Sequence, residues 1–213
     1  MLLGRVFADR LARAGAAPTG EVKLQTPAQA GVDKAKALVQ TRSPLALAVN
    51  RANKKSLNMA AECIFLRSGD GTWAGSGPIA TESLARTYGV AEGSVVATDG
   101  SGLGRTNRVT PTAMTKMLVG MATSKDAAIL LESLPISGTD GSLTKRLGGP
   151  YKGRVLGKTG YIAGVSCLSG FVLDRHGKPA IAYSVLVNKV VDLTAARRLQ
   201  EDLCARMVDE LDK

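Results

Sequence analysis

Any proton transfer in catalysis by this chain must use lysine, acidic or hydroxyl side chains, because histidine is almost absent. His176 is the single histidine among 213 residues, and it lies in a predicted hairpin turn. A Ser-His-Asp triad or a histidine-ligated zinc site would have to form on a surface loop. Cys63, Cys167 and Cys204 form no close pair, which argues against a zinc knuckle or a redox motif, and each is predicted to be a buried structural cysteine. The sequence predicts no metal site and no cofactor.

Two short motifs carry residue types suited to serine-lysine chemistry. Lys158-Thr159-Gly160 lies within a predicted strand, and Ser56-x-Asn58 lies at a predicted helix start. A lysine can transfer protons when burial or a neighbouring cation lowers its pKa toward neutrality. Serine-lysine acyl-transfer enzymes combine Ser-x-x-Lys, a Ser-x-Asn motif and Lys-Thr-Gly around one cleft. For Lys-Thr-Gly alone, the alternative is an ordinary strand with a solvent-facing lysine.

The elements that carry these motifs are predicted from apolar periodicity and from helix start and stop residues. Ser43 is the predicted cap of one helix, with Pro44 at its first position. Three segments in the last third of the chain are strand-like in length and composition, and residues 174–178 predict a hairpin turn between the last two. The predicted helices cover residues 2–14, 44–51, 57–68, 78–89, a segment starting at 110–111, and 193–211; the predicted strands cover 154–162, 166–173 and 180–187.

These elements predict an α/β (α+β) fold. Three consecutive strands joined by short links form an antiparallel sheet, and the C-terminal helix is expected to cover one sheet face. In the helix that starts at Thr110-Pro111, a stripe of methionine and leucine residues is predicted to face the core. The sequence is long enough for one globular core of ordinary composition.

The net charge of +10 is compatible with a protein that binds nucleic acid. The basic residues are scattered, however, and only 4% of residues are aromatic, which favours a solvated basic surface; a basic interaction protein stays as an alternative. No stretch approaches the ~20 apolar residues of a membrane span. Charges at Arg5, Asp9 and Arg10 fall where a signal peptide would be apolar, so no export signal is visible.

Two further segments accompany the motifs in a definite order. Residues 99–103 read Asp-Gly-Ser-Gly-Leu before the Pro-started helix, and residues 134–143 read Leu-Pro-x-x-Gly-x-Asp-Gly-x-Leu shortly before Lys-Thr-Gly. The Ser-x-Asn motif is followed by Ala-Glu at positions 61–62. Together the four segments resemble peptidase family S13, the D-alanyl-D-alanine carboxypeptidases and endopeptidases known as class C low-molecular-mass penicillin-binding proteins. The resemblance covers essentially the whole chain and is less sharp over the first 37 residues.

The resemblance implies the serine β-lactamase/penicillin-binding transpeptidase fold, an antiparallel sheet with covering helices. Residues 1–37 would be a lead-in helix and loop that end an inserted region, and residues 38–213 the C-terminal part of the catalytic domain. The implied substrates are peptidoglycan stem peptides ending in D-Ala-D-Ala, cleaved through an acyl-enzyme in the periplasm or cell envelope. β-Lactams would bind the same site, and no nucleic acid partner is expected.

The resemblance also implies residue roles. Ser56 would relay protons to the leaving group, Asn58 would hydrogen-bond the substrate amide, and both would act with Lys158 in catalysis. Lys158 and Thr159 would bind the terminal carboxylate of the peptide or of a penicillin. The Tyr161 backbone N–H would form half of an oxyanion hole. The implied supporting positions are Gly160, which keeps the strand open for the substrate backbone, and Asp99 and Ser101 beside the cleft.

One motif of the family order is missing ahead of Ser56, namely the Ser-x-x-Lys that carries the nucleophile. The same pattern at Ser142 and Lys145 falls in a segment already matched, and we interpret it as a chance occurrence. The chain is therefore interpreted as the C-terminal half, inactive alone, with a missing N-terminal half as its expected partner and with apolar surface and unpaired strand edges exposed. The alternative is a non-catalytic descendant that binds peptidoglycan stems or a partner chain.

Overall fold

The computed structural model describes residues 2–31, 36 and 39–213, and the chain divides into two units, Met1–Arg42 and Ser43–Lys213. In the first unit, helix α1 spans Leu2–Arg13 and helix α2 spans Pro27–Ala30. The predicted helix over residues 2–14 is confirmed. Residues 1, 32–35 and 37 of the predicted lead-in lie outside the described residues, and so does residue 38.

The second unit contains most of the helices. They are α3 (Leu45–Lys54), α4 (Asn58–Ser68), α5 (Trp73–Tyr88), α6 (Pro111–Ala122), α7 (Ala127–Ser133) and α8 (Leu193–Leu211). The predicted cap of α3 is wrong, because Pro44 rather than Ser43 is the N-cap residue and its carbonyl accepts the Leu47 N–H at 3.0 Å. At α6 the predicted start is confirmed, since the Thr110 side chain accepts the Ala113 N–H.

Helix α5 begins earlier than predicted. Thr72 caps it by accepting the Gly75 N–H, and Pro78 lies inside the helix rather than at its start. The Gly-Ser-Gly run at 75–77 resembles a helix-breaking turn in the sequence. Here it allows close packing instead, since a Cβ at Gly77 would collide with the Ala97 carbonyl oxygen. The predicted end is confirmed, with Gly89 in the left-handed conformation.

The sheet has the predicted antiparallel topology. Strands β3 (Val155–Ile162), β4 (Val165–Leu173) and β5 (Pro179–Asn188) lie in the order β3-β4-β5, and Asp174 closes the β4–β5 turn by accepting the N–H groups of His176 and Lys178. A separate ribbon pairs β1 (Val95–Val96) with β2 (Arg108–Val109). Within residues 39–213, no further strand extends the three-stranded sheet beyond β5, so the expected unpaired edge is present there.

The core lies on both faces of this sheet. On one face Val155, Leu168 and Val172 pack against Cys204 and Val208 of α8, which confirms that α8 covers the sheet. The opposite face packs against α6 and the segment that follows α7. This second cluster consists of Leu118, Leu134, Leu156, Phe171 and Leu173, with Met114 and Leu131 against it.

The prediction that all three cysteines are buried is only partly confirmed. Cys204 is fully buried and Cys167 is half-buried, but Cys63 is exposed. The prediction for Cys63 is wrong because this residue lies on the solvent-facing side of α4, whose buried residue is Phe65. No helix in the described part of the chain has the length and apolar character needed to cross a membrane.

Candidate active site

Strand β3 positions Lys158 and Thr159 at an edge of the sheet. In the β3–β4 register Lys158 lies opposite Ser169 and Thr159 opposite Leu168. Next to them two glycines, Gly157 and Gly170, face each other across the strands. A Cβ at Gly170 would collide with the backbone of β3, so this pair lets the strands approach closely directly behind the motif.

The outer edge of β3 is open beside the motif. The Gly157 N–H points away from β4 and donates to the Pro135 carbonyl at 2.9 Å. Because backbone groups alternate in direction along an antiparallel strand, the N–H groups of Thr159 and Tyr161 project from the same edge. Among residues 39–213 the sheet ends at β3 on this side, apart from one bridge between Ile136 and Leu156. An extended peptide can therefore pair with β3 at this point.

Lys158 joins the strand to the Ser-x-Asn segment. Its Nζ donates to Ser56 Oγ at 3.0 Å and to the Thr159 carbonyl oxygen at 2.6 Å. The Thr159 hydroxyl in turn donates to Ser142 Oγ at 2.8 Å. Desolvation by burial lowers the pKa of Lys158 below its ordinary value. An ammonium in this state gives up a proton more readily, and Ser56 Oγ is within reach to accept that proton if it releases its own hydroxyl proton in the same step.

Ser56 lies in the short connection between α3 and α4. Its φ of 51° is in the left-handed region, which non-glycine residues adopt uncommonly. The connection is closed by the Leu57 N–H, which donates to the Arg51 carbonyl at 3.2 Å. Asn58 is the first residue of α4 and is exposed, and its side chain makes no hydrogen bond to the residues that the structure describes. Ser56 and Lys158 are thus brought together, while Asn58 faces solvent beside them.

Asp99 and Ser101 lie in a separate loop. Asp99 accepts the N–H groups of residues 102 and 104 at 2.5 and 2.7 Å, so its carboxylate stabilises its own loop. Glu62 accepts the Ser101 N–H, and Arg105 donates to the Ala163 carbonyl at 3.0 Å. The loop is thereby tied to α4 and to the β3–β4 turn. Neither Asp99 nor Ser101 hydrogen-bonds Lys158, and their support of the cleft stays a prediction.

Gly160 leaves room in front of the strand. A Cβ there would meet only the Cys167 side chain, at an ordinary contact distance of 3.5 Å. The described residues therefore do not require glycine at this position by packing. This is compatible with the predicted need for space beside a substrate backbone. In the described part of the chain, no three or more His, Cys, Asp or Glu side chains are grouped so that they could hold a metal ion.

Several site contacts were not predicted from the sequence. Ser142, interpreted as part of a chance motif, lies at the site through its contact with Thr159. Lys54 and Asp140 form an ion pair beside Ser56, and Glu62 holds the 99–103 loop. The sequence does mark Glu62 and Asp140 as residues of interest, since both are fixed positions of the recognised segments. Their partners could not be read from the sequence.

The fold defines a class, because penicillin-binding proteins and a β-lactamase share this architecture. Penicillin binding protein 4 of Haemophilus influenzae, solved with a β-lactam, superposes with a TM-score of 0.62 at 28% identity, over 73% of this chain and 40% of that one. A predatory endopeptidase of Bdellovibrio bacteriovorus has a TM-score of 0.67 at 20% identity, over 80% of this chain and 44% of that one, and shows the fold alone. The predicted fold class is confirmed.

The family follows from the sequence comparison. The profile of the D-Ala-D-Ala carboxypeptidase 3 (S13) family matches residues 1–209, so the chain belongs to that family, as the motifs predicted. The D-alanyl-D-alanine carboxypeptidase DacB of Haemophilus influenzae is 31% identical over 191 residues, which are 86% of this chain and 39% of that protein. The chain thus spans well under half the length of this curated relative.

Proposed function

We propose that this chain forms two walls of a serine-type D-Ala-D-Ala carboxypeptidase site that acts on peptidoglycan stem peptides in the bacterial cell envelope. The observation that carries the proposal is the 3.0 Å contact between Lys158 Nζ and Ser56 Oγ. It joins the Ser-x-Asn and Lys-Thr-Gly motifs, which are about a hundred residues apart in sequence, as a serine-lysine cleft requires. β-Lactams would occupy the same cleft.

In this proposal the terminal carboxylate of the peptide binds at Lys158 and Thr159. A cation and a hydroxyl at one strand edge are suitable donors for a carboxylate, and hydrogen bonds to ionised groups are the stronger kind. The Tyr161 N–H, on the open edge of β3, would donate to the oxyanion that develops when the peptide carbonyl is attacked. Asn58, exposed at the start of α4, would hydrogen-bond the substrate amide.

Ser56 would carry the proton to the leaving amine. Its hydroxyl accepts a hydrogen bond from Lys158, whose pKa is lowered by burial. A proton can therefore pass from Lys158 to Ser56 as Ser56 releases its own proton to the departing nitrogen, and the pair returns to its starting state when a proton is regained from solvent. This relay needs an acyl acceptor, which neither Ser56 nor Lys158 supplies.

We assign the nucleophile to a part of the family's length that this sequence does not span, because no Ser-x-x-Lys precedes Ser56. Loss of the nucleophile in a serine hydrolase costs roughly 10⁶ in kcat. The chain by itself is then expected neither to form a covalent adduct with a fluorescent penicillin nor to release D-alanine. Covalent labelling that disappears on Ser142→Ala would contradict this assignment and make Ser142 the nucleophile.

Recognition can be tested without catalysis. Titration of an N-acyl-D-Ala-D-Ala peptide, followed by NMR, should give saturable binding that Lys158→Ala weakens at least about tenfold, since a hydrogen bond to a charged group contributes about 1.5–3 kcal/mol. Lys178→Ala, at an exposed lysine of the β4–β5 turn, is the matched control and should bind as the unchanged chain does. Equal affinity for both variants would refute the proposed carboxylate site.

A non-catalytic role in binding peptidoglycan stems is the second candidate. It is favoured by one observation: the contacts among Lys158, Ser56 and Thr159 are complete without any nucleophile. The nucleotide sequence upstream of the codon for Met1 separates the two. An in-frame Ser-x-x-Lys and signal peptide there would support the carboxypeptidase, and their absence would support the binding protein.

A further inference from the structure

We infer that Lys54 and Asp140 are positioning residues that hold Ser56 within hydrogen-bonding distance of Lys158. The inference deepens the proposed function, because it says what keeps the proton relay in place. It rests on contacts between three segments of the chain: the end of α3, the loop after α7 and the edge of β3.

The bridge between α3 and the loop is a short ion pair. Lys54 Nζ lies 2.6 Å from Asp140 Oδ2, and the Lys54 side chain is only 15% exposed. The other carboxylate oxygen of Asp140 accepts the Ile136 N–H at 2.8 Å. Asp140 is therefore fixed by its own loop and presents its second oxygen to α3. A charge pair of this kind, shielded from water on one side, has more effect than an exposed one.

Two neighbouring contacts reinforce the bridge. Asn53 Nδ2 donates to Ser133 Oγ at 2.7 Å, and Ser133 is 1% exposed. Beside the ion pair, Gly141 approaches the Lys54 backbone so closely that a Cβ would lie 3.0 Å from the Lys54 carbonyl oxygen. Asn53 and Lys54, three and two positions before Ser56, are thus held against the end of α7 and the loop that follows it.

The loop is joined in turn to the strand that carries Lys158. The Gly157 N–H donates to the Pro135 carbonyl, and the Ser137 N–H donates to the Val155 carbonyl, both at 2.9 Å. The contacts therefore form a closed circuit from β3 through the loop to α3, and from Ser56 back to Lys158 on β3. Because the loop is joined to β3 by backbone hydrogen bonds and the Lys54 side chain is only 15% exposed, the circuit limits how far the serine can move from the lysine.

Ser56 needs such support for a local reason. Its left-handed backbone conformation, with φ of 51°, is sparsely populated for a serine and persists only where surrounding contacts determine it. The residue is also exposed, so burial of its own side chain does not hold it. Release of Lys54 from Asp140 would allow the 55–57 connection to relax and Ser56 to move away from Lys158. Water would then reach the ammonium of Lys158.

The test measures the serine-lysine contact directly in the full chain. Lysine labelled with ¹³C at Cε allows the nuclear Overhauser effect between Ser56 Hβ and Lys158 Hε to be recorded, and allows the pKa of Lys158 to be titrated. The variants are Asp140→Asn and the milder Lys54→Gln, with Lys54→Arg as the conservative replacement. Asp126→Asn is the matched control, since Asp126 is exposed and makes no side-chain cap bond to α7.

We expect the unchanged chain, Lys54→Arg and Asp126→Asn to show the Overhauser effect and a Lys158 pKa below that of exposed lysines. In Asp140→Asn and Lys54→Gln the effect should disappear and the Lys158 pKa should rise to that of the exposed lysines. Folding is checked from the amide spectrum, and Lys54→Gln decides if Asp140→Asn unfolds. If a folded variant keeps both the Overhauser effect and the lowered pKa of Lys158, the ion pair only stabilises the fold, even where the variant is less stable, and the inference is overturned.

Binding of N-acyl-D-Ala-D-Ala by the same variants separates this inference from the proposed function. If Asp140→Asn loses the Ser56–Lys158 contact, but neither the unchanged chain nor any variant binds the peptide, the positioning role stands and the proposed function fails. If the chain binds the peptide and Asp140→Asn keeps the contact, the proposed function stands and the positioning role fails.

Discussion

Replacement of Glu62 by Gln should loosen the loop that lies beside the cleft. The Glu62 carboxylate accepts three hydrogen bonds, from Trp73 Nε1 at 2.9 Å and from the N–H groups of Gly100 and Ser101 at 3.1 Å each. Gln offers one acceptor oxygen, so at least one donor loses its partner and all three lose a charged acceptor. The loss of one such partner costs about 1–3 kcal/mol, and because Glu62 is partly exposed we expect about 1–2 kcal/mol.

Urea unfolding measures this loss, followed by circular dichroism and by the fluorescence of Trp73, the single tryptophan. With an m value of about 2 kcal/mol per molar urea, the midpoint should fall by about 0.5–1 M. The control is Glu132→Gln, which makes the same charge change on the exposed side of α7 and should cost less than about 0.5 kcal/mol. Equal midpoints for the two variants would refute the reasoning.

The same carboxylate predicts a pH dependence. Partial burial would raise the pKa of Glu62, but hydrogen bonds from Ser101, Trp73 and Gly100 outweigh it and lower the pKa from 4.5 to about 2. Because the folded value lies below the unfolded one, this contribution to stability is present above pH 4.5 and is lost as the pH falls from 4.5 toward 2. Glu62→Gln should therefore lose less stability over this interval than the unchanged chain; parallel curves would exclude this origin.

Two further changes test the sheet and its covering helix. Gly170→Ala places a Cβ against the Leu156 carbonyl oxygen and should lower the free energy of unfolding, measured by thermal melts, by about 1–3 kcal/mol. Gly148→Ala has open space around its Cβ and should have little effect in the same measurement. Asp192→Ala removes the acceptor of two N–H groups in the first turn of α8 and should cost about 0.5–2 kcal/mol; Asp126→Ala, at a cap position without a side-chain bond, should not, and equal losses would show that the α8 cap does not stabilise the helix.

The sequence predicted best the elements whose signals are local and long. Strands β3–β5 have strand-like length and composition and a clear turn between β4 and β5, and α8 repeats its apolar residues over five turns. The sequence therefore predicts the bounds of the strands and of α8 within a residue or two. For α5, Pro78 predicts too late a start, because Thr72 caps the helix and Pro78 lies inside it. The small residues at 75–77 are explained by packing against Ala97, which is a tertiary contact. Helix α7 and the β1–β2 ribbon are too short to show a period.

For the site, the sequence supplied residue types in order but no distances. It predicted Ser56 and Lys158 as facing motifs, and the structure brings them to 3.0 Å. From the sequence, the pattern at Ser142 and Lys145 is interpreted as a chance occurrence because it falls in a segment already matched, whereas in the structure the Ser142 hydroxyl accepts a hydrogen bond from Thr159. The pairing of Lys54 with Asp140 spans 86 positions. Such contacts depend on how the loop after α7 folds back on α3, which no local pattern encodes.

In the proposed function, the contacts that hold Ser56 against Lys158 concern the binding of the peptide and not the attack by a nucleophile. Every contact that fixes Ser56 against Lys158, including the ion pair of Lys54 and Asp140, lies within Ser43–Lys213. The proposed carboxylate site is therefore held by contacts within this unit. In serine hydrolases, removal of the nucleophile abolishes the attack while binding contacts persist. Under the proposed function, this chain should accordingly bind a D-Ala-D-Ala terminus without turning it over, and Lys158→Ala should weaken that binding.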